Sequence, residues 1–249
     1  MADNAQLPPE IDLKSLFRKR SVFDSSDDLR DAGFTILRES EHEKVVVAGH
    51  RSVPGYLFKK FLSNVSYSYA DQLAMYEQRV NGAHALRDHL QALKIQRIVV
   101  PRKWLCELPP RFSLGRRPSY IVVVDHCDIL DRDKSERRYR RIDKDQLRDL
   151  CTIFFTFRRI DFTAKNAPFT SDGKIAFIDT GYLTRITKKL ASRRRSYEHN
   201  AGKLFTDKDR RFAASLWDDF VKREDLLPMP STSGRRIDGH RSQRSQRST

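Results

Sequence analysis

Two carboxylates and an amide frame the most constraining stretch of this 249-residue sequence, residues 161–181, which read DFTAKNAPFTSDGKIAFIDTG. Asp161 and Asn166 are separated by four residues. A TSDG turn follows, and the apolar run 175–178 predicts a short strand that ends at Asp179. A loop, a hairpin and a strand in this order are expected to bring the three polar side chains to one edge.

Apolar runs rich in β-branched residues, separated by turn signals, predict a five-stranded antiparallel sheet earlier in the chain. The predicted strands are 34–37, 44–47, 56–61, 98–100 and 120–124. Apolar side chains at helical spacing predict long helices at 71–94 and 143–157, and a final helix at about 207–223. Strands followed by helices indicate an α+β fold.

Two segments between these elements are expected to be connections. Residues 101–119 are rich in proline and arginine, and Trp104 within them is expected to pack in the core. Residues 131–141 are dense in charge, which is typical of a solvated linker.

The spacing of Asp161, Asn166 and Asp179 resembles the catalytic loop and metal-binding segment of protein kinases, where D-x-x-x-x-N precedes an aspartate in a D-F-G-like turn. The chain thus resembles a small, divergent, bacterial-type member of the protein-kinase-like superfamily. The resemblance implies ATP and Mg²⁺ as cofactors and transfer of the γ-phosphate to a hydroxyl, for example on protein Ser, Thr or Tyr. Asp161 is then the catalytic carboxylate, and Asn166 and Asp179 are the metal ligands.

The same resemblance implies two nucleotide-binding residues in the first half of the chain. A lysine on the third strand pairs with the α- and β-phosphates, and Lys59 in the run YLFK is the candidate. Lys60 takes this role if the strand register differs by one residue, because side chains alternate between faces. Glu77, in the following helix, is the candidate partner of that lysine.

Several features depart from the kinase pattern. Residues 39–43 contain no glycine where kinases have a glycine-rich loop, and Arg159-Ile160 stands where H-R is usual before the catalytic aspartate. Thr163 occupies the position of a common lysine, with Lys165 nearby, and no A-P-E-like segment follows. These departures keep a pseudokinase, a binding module with little or no transfer, as an alternative.

The resemblance also divides the chain into four parts. Residues 1–25 are expected to be an N-terminal extension with a short amphipathic helix, 26–125 the first lobe, and 126–227 a reduced helical lobe that carries the 161–181 stretch. Residues 228–249 are basic and rich in Ser and Arg, and are expected to be a disordered tail.

The formal net charge of +15 predicts a strongly positive surface. It suits nucleic acid, an anionic membrane face or phosphate-bearing ligands, so a basic nucleic-acid-binding protein is a further alternative. That alternative does not account for the spaced Asp161, Asn166 and Asp179.

The remaining features of the sequence favour a cytoplasmic protein. The three cysteines, Cys106, Cys127 and Cys151, have no C-x-x-C spacing and are expected to be reduced thiols. No secretory signal is recognisable, and no apolar stretch approaches the roughly 18 residues of a membrane span. The histidines show no zinc spacing.

Overall fold

The computed structural model describes residues 7–17, 25–40, 45–61, 68–108, 119–158, 160–181, 183–185 and 205–224. Its elements in chain order are α1 (Leu13–Leu16), α2 (Ser26–Asp31), β1 (Phe34–Ser40), β2 (Val45–His50), β3 (Tyr56–Phe61), α3 (Tyr69–Ala92), β4 (Ile98–Val99), β5 (Lys103–Leu108), β6 (Ser119–Asp125), α4 (Arg132–Tyr139), α5 (Lys144–Thr156), β7 (Phe157–Arg158), β8 (Ile175–Ala176), β9 (Thr184–Arg185) and α6 (Asp207–Glu224). The predicted tail at 228–249 and most of residues 39–43, the position of the kinase glycine-rich loop, lie outside the described residues.

Five strands form an antiparallel sheet in the order β1-β2-β3-β6-β5. Residues 121–124 of β6 are buried on both faces, which fits the uninterrupted apolar run of this interior strand. On β3, Phe58 is buried against one face and Lys59 projects from the other, as the alternation of side chains requires. The predicted α+β class and five-stranded antiparallel sheet are confirmed.

One predicted strand of this sheet is wrong. Residues 98–100 do not join the sheet; instead β4 pairs in parallel with β8, which lies within the 161–181 stretch. The fifth strand is β5, which lies in the segment expected to be a connection. Lys103 and Glu107 interrupt its apolar pattern, so the sequence KWLCEL did not predict a strand. Trp104 is buried in the core, as predicted.

The N-terminal residues cover one face of the sheet. The predicted short helix is present as α1, and Phe17 just after it stacks on Phe34 of β1 at 5.1 Å between ring centroids. Ile11 and Leu29 belong to the same buried cluster, which includes Phe58. Burial of such aromatic and aliphatic side chains is worth about 1.5–3 kcal/mol each, so residues 7–17 are part of the packed structure.

Helix α3 covers the opposite face. Ser68 caps it and closes a capping box with Asp71. Tyr76 and Val80 pack against the valines of β6, while Leu86 and Leu90, further along, belong to the other large core cluster. The helix therefore contacts both parts of the molecule, with Gly82 between its two sets of contacts.

The second cluster is formed by helices α4, α5 and α6 around the residues that follow Asp161. Helices α5 and α6 agree with the predicted helices at 143–157 and 207–223. The predicted linker at 131–141 is wrong, because residues 132–139 form α4. The polar composition of α4 gave no indication that Tyr139 is a core residue. Tyr139 is fully buried and donates a hydrogen bond to the Ala167 carbonyl.

The cysteines are free thiols. Burial raises the pKa of Cys106 and that of Cys151 to about 12, which makes both thiols unreactive near neutral pH. In the part of the chain that the structure describes, no helix is long and apolar enough to cross a membrane.

Candidate active site

The site begins with a short loop in which Asn166 turns back onto Asp161. The amide Nδ2 of Asn166 donates to the Asp161 carboxylate Oδ2 at 2.7 Å and to the Asp161 carbonyl at 3.2 Å. The backbone N–H of Asn166 in turn donates to the Thr163 hydroxyl at 3.2 Å. The predicted spacing thus forms a closed loop that leaves the Asp161 side chain exposed.

Buried side chains alternate with these polar ones and anchor the loop. Phe162 is 1% exposed and lies edge-on to Phe154 and Tyr139, with ring centroids 4.8 and 5.4 Å away. Ala164 and Ala167 are buried in the same cluster. Because these apolar residues point inward, Asp161 and Asn166 are held at the surface on a rigid base.

Backbone hydrogen bonds join the loop to Asp179. The Asn166 carbonyl accepts the N–H of Ile178 at 3.0 Å and that of Asp179 at 3.4 Å. Strand β8, which leads to Asp179, is fixed by its parallel pairing with β4. The structure therefore brings Asp161, Asn166 and Asp179 together at one edge.

Asp179 sits in a tight turn, residues 178–181, and about one third of its side chain is exposed. The Gly181 N–H donates to its Oδ1 at 3.0 Å, and Arg79 Nε lies 3.9 Å from the same oxygen. Burial alone would raise the pKa of Asp179, but the positive charges of Lys59 and Arg79, with the Gly181 amide, hold that pKa below its usual value. The carboxylate is therefore ionised at neutral pH.

Of the two candidate lysines on β3, the structure places Lys59 beside this turn. Lys59 Nζ donates to the Ile178 carbonyl at 3.2 Å. Lys60 points away and donates to Ser119 Oγ at 2.9 Å. The register of β3 thus sets Lys59 next to the residue that precedes Asp179.

Sequence reasoning missed a second lysine at the turn, Lys103 of β5. It is 2% exposed, and its Nζ donates to the Ile178 carbonyl at 3.1 Å and to Thr180 Oγ1 at 2.7 Å. Burial lowers the pKa of Lys103 well below its ordinary value, and the charge of Lys59 lowers it further. The only signal in the sequence was a lysine at the start of an apolar run.

Helix α3 closes the turn from the other side. Thr180 Oγ1 donates to the Arg79 carbonyl at 2.6 Å, so one hydroxyl links α3 to Lys103. A Cβ on Gly82 would lie 2.2 Å from the Thr180 carbonyl oxygen. The helix and the turn can approach this closely only because residue 82 is glycine.

The predicted helix residue Glu77 lies on the exposed side of α3. Arg79, two residues later, is the α3 side chain beside Asp179, and its side chain is only 14% exposed. Successive residues of a helix are about 100° apart around its axis, so residues 77 and 79, two positions apart, lie on nearly opposite sides of α3. The helix therefore presents a cation to the turn.

The donor set of the site fits a hard cation. Asp179 offers carboxylate oxygens, and the hydrogen bonds from Nδ2 of Asn166 turn its amide oxygen away from Asp161. Oxygen ligands of this kind, few in number, suit Mg²⁺, which keeps several waters or substrate oxygens. Among the described residues, no three His, Cys, Asp or Glu side chains form a metal-binding group.

Comparison with known proteins gives no sequence relative. No protein-family model and no curated protein matches the chain. Among solved structures, the chain is similar to the bifunctional kinase-methyltransferase WbdD, with 12% identity over 78% of this chain and 45% of that chain and a TM-score of 0.38. It is also similar to a chain of the CAK complex from Chaetomium thermophilum bound to ATP-γ-S, with 14% identity over 68% and 54% of the chains and a TM-score of 0.35.

The chain spans about half the length of these two chains, 45% and 54%. The α+β architecture and the five-stranded antiparallel sheet are those that the apolar runs in the sequence predicted.

Proposed function

We propose that this protein is a kinase-like phosphotransferase that uses ATP and Mg²⁺ and moves the γ-phosphate to a hydroxyl acceptor. The observation that carries the proposal is the convergence of Asp161, Asn166 and Asp179 at one edge, with Lys59 beside the Asp179 turn. Phosphoryl transfer depends mainly on positioning and charge neutralisation, which these side chains can supply.

In the proposed reaction, the acceptor hydroxyl attacks the γ-phosphorus, the bond to the β,γ-bridging oxygen breaks, and ADP leaves. Asp161 orients the hydroxyl and takes its proton, a role that fits its exposed carboxylate and the hydrogen bond that the Asn166 amide donates to it. Lys59 binds the nucleotide phosphates. When bound, Mg²⁺ would neutralise phosphate oxygens and be held by Asn166 and Asp179.

Glu77 has no place in this proposed set, because its side chain is exposed and Arg79 lies beside Asp179 instead.

We also propose that the boundary between the two lobes lies between residues 125 and 126. It coincides with the end of β6, where Asp125 accepts a hydrogen bond from Arg102 Nε at 2.8 Å. The segment 7–17 packs on the sheet and belongs with the first lobe.

The test is incubation of the purified protein with γ-labelled ATP, Mg²⁺ and a panel of hydroxyl acceptors, read by transferred label and by intact mass. Asp161→Asn is expected to lower transfer about 100-fold or more while nucleotide binding persists. Asp179→Asn is expected to abolish both Mg²⁺-dependent binding and transfer. Asp172→Asn, the same change at an exposed aspartate of the neighbouring hairpin, is the matched control. Unchanged transfer in both site variants would overturn the proposal.

A pseudokinase is the second candidate. The observation that favours it is the end of β1, where Glu39 and Ser40 stand in place of glycine, because acidic side chains and the lack of glycine both disfavour close approach to phosphate. A rise in melting temperature with ATP and Mg²⁺, without transfer to any acceptor or to the protein itself, would select this candidate.

A further inference from the structure

Three cations surround the turn that carries Asp179. Arg79 reaches it from α3, Lys59 from β3 and Lys103 from β5. The turn itself contributes one carboxylate. The positive charge gathered here therefore exceeds the negative charge, even if Lys103 is counted as neutral because of its burial.

The second carboxylate of the site lies on the other side of Asn166. Asp161 contacts the Asn166 amide, whereas the turn contacts the Asn166 carbonyl. The acidic and the basic parts of the site are thus separated by one residue. An anion beside residues 178–181 would meet the basic part.

The guanidinium of Arg79 lies beside Asp179 without a direct hydrogen bond to its carboxylate. One of its N–H groups donates to the Met75 carbonyl at 3.3 Å, and its guanidinium carbon lies 5.3 Å from the centre of the Phe61 ring. Its Nε is 3.9 Å from Asp179 Oδ1, which is longer than a direct hydrogen bond. A guanidinium has five N–H donors and binds phosphate through two at once.

We propose that Arg79 is a phosphate-binding residue which, together with Lys59, gives the site affinity for the phosphates of a nucleotide without a metal ion. This inference rests on the proposed function. The kinase resemblance implied a glutamate on this helix, whereas the helix presents an arginine. The cations carry part of the charge neutralisation, so the metal is needed for transfer more than for binding.

The experiment measures binding of ATP and of inorganic tripolyphosphate by calorimetry, once with Mg²⁺ and once with EDTA. Wild-type protein is expected to bind both anions in EDTA, with an ATP affinity within about tenfold of its value in Mg²⁺. Arg79→Gln is expected to weaken the EDTA affinity by about ten- to a hundredfold, the usual effect of losing a charged hydrogen bond. Arg87→Gln, an exposed arginine on the same helix, is the matched control.

Each outcome separates the inference from the proposed function. Binding of ATP by the wild type only with Mg²⁺, or unchanged EDTA affinity in Arg79→Gln, overturns the inference and leaves the function standing. No ATP binding under either condition overturns the proposed function and the inference with it.

If Arg79→Gln fails to fold, Arg79→Lys decides. A lysine keeps the charge but lacks the two-pronged geometry of the guanidinium, so the EDTA affinity is expected to fall several-fold. An unchanged EDTA affinity in Arg79→Lys would contradict the inference.

Discussion

The two halves of the candidate site are held in opposite ways. In residues 161–174 the polar side chains are fixed by neighbours in sequence; the bond from Asn166 to Asp161 spans five residues. In the turn at 178–181 the fixing groups come from distant elements; Lys59 and Ile178 are 119 residues apart. The first half is a local loop, and the second exists only when the sheet and α3 are assembled.

This difference predicts which substitutions in the site affect the stability of the fold. Thr180 is fully buried and links α3 to β5, so damage to the turn must also damage the contact between helix and sheet. Asp161 is exposed, and among the described residues its hydrogen bonds are to Asn166 of the same loop. Changes in the turn should therefore lower the free energy of unfolding, whereas changes in the loop should spare it.

The largest effect is expected from Gly82→Val. Its Cβ would lie 2.2 Å from the Thr180 carbonyl oxygen, and 3.2 Å from Leu183 Cβ, so α3 or the turn must shift. Overpacking of this kind at a buried position costs about 3 kcal/mol, or roughly 6–12 °C in melting temperature for a chain of this size. Thermal and urea unfolding measure it.

The matched control is Gly55→Val, where an added Cβ meets nothing within 4 Å. Its expected change is within about 0.5 kcal/mol. Equal losses in the two variants would mean that the close approach of α3 to the turn has no special cost.

Thr180→Val should have the next largest effect. The change keeps the shape of the side chain but removes the acceptor of Lys103 and the donor to the Arg79 carbonyl. Among the described residues, the buried Lys103 amine then keeps only the longer of its two hydrogen bonds, the one to the Ile178 carbonyl. Losing a hydrogen bond of a buried polar group costs about 1–3 kcal/mol, so a loss of about 2 kcal/mol is expected in urea unfolding.

Thr156→Val is the control for this change. The hydroxyl of Thr156 bonds to the Thr152 carbonyl within its own helix, at 2.8 Å. Because this hydroxyl is only partly buried and its bond stays within one helix, a loss below about 0.5 kcal/mol is expected. A Thr180→Val variant as stable as Thr156→Val would show that the turn is not held through its hydroxyl.

The same contrast explains what the sequence could and could not predict. The loop and hairpin at 161–174 could be predicted because spacing and turn residues within that segment determine them. Helices α3, α5 and α6 followed from their apolar periodicity. These are local properties, which one sequence carries in full.

Lys59 was a candidate from the sequence, but the other two cations around the turn were missed because their roles depend on tertiary structure. Lys103 gave no sign of burial, and its strand was taken for a connection because charged residues interrupt it. Arg79 and Glu77 are equally plausible from spacing, and only the rotation of α3 distinguishes them. Spacing within the sequence therefore indicated the local loop, whereas the positions of Lys103 and Arg79 follow from how distant elements pack.

Asn166→Ala tests the local loop, where activity should be lost without a large loss of stability. It removes a partly exposed hydrogen bond to Asp161, so a loss of only about 0.5–1 kcal/mol in stability is expected. If the proposed function holds, phosphate transfer should nevertheless fall about 100-fold or more, because a metal ligand is lost and Asp161 is released. Urea unfolding and the labelled-ATP assay measure the two effects side by side.

Asn81→Ala, an exposed asparagine on α3, is the control for both readouts and should leave them unchanged. A stability loss in Asn166→Ala as large as that in Gly82→Val would contradict the difference between loop and turn, since the loop would then be coupled to the whole fold.

The smallest effect is expected in the hairpin at the end of the local half. Hydrogen bonds from Lys174 and Thr170 lower the pKa of Asp172 from 3.8 to about 2. A carboxyl with a lowered pKa in the folded state stabilises the fold above its unfolded pKa, and that contribution is lost as the pH falls towards 2. The stability difference between wild type and Asp172→Asn should therefore be constant from neutral pH to about 4 and shrink below it. Carboxyl NMR titration measures the titration midpoint of Asp172, which should rise in Lys174→Gln. An unchanged midpoint in that variant would mean that the Lys174 contact does not hold the Asp172 carboxylate, and that even the local half of the site depends on its surroundings.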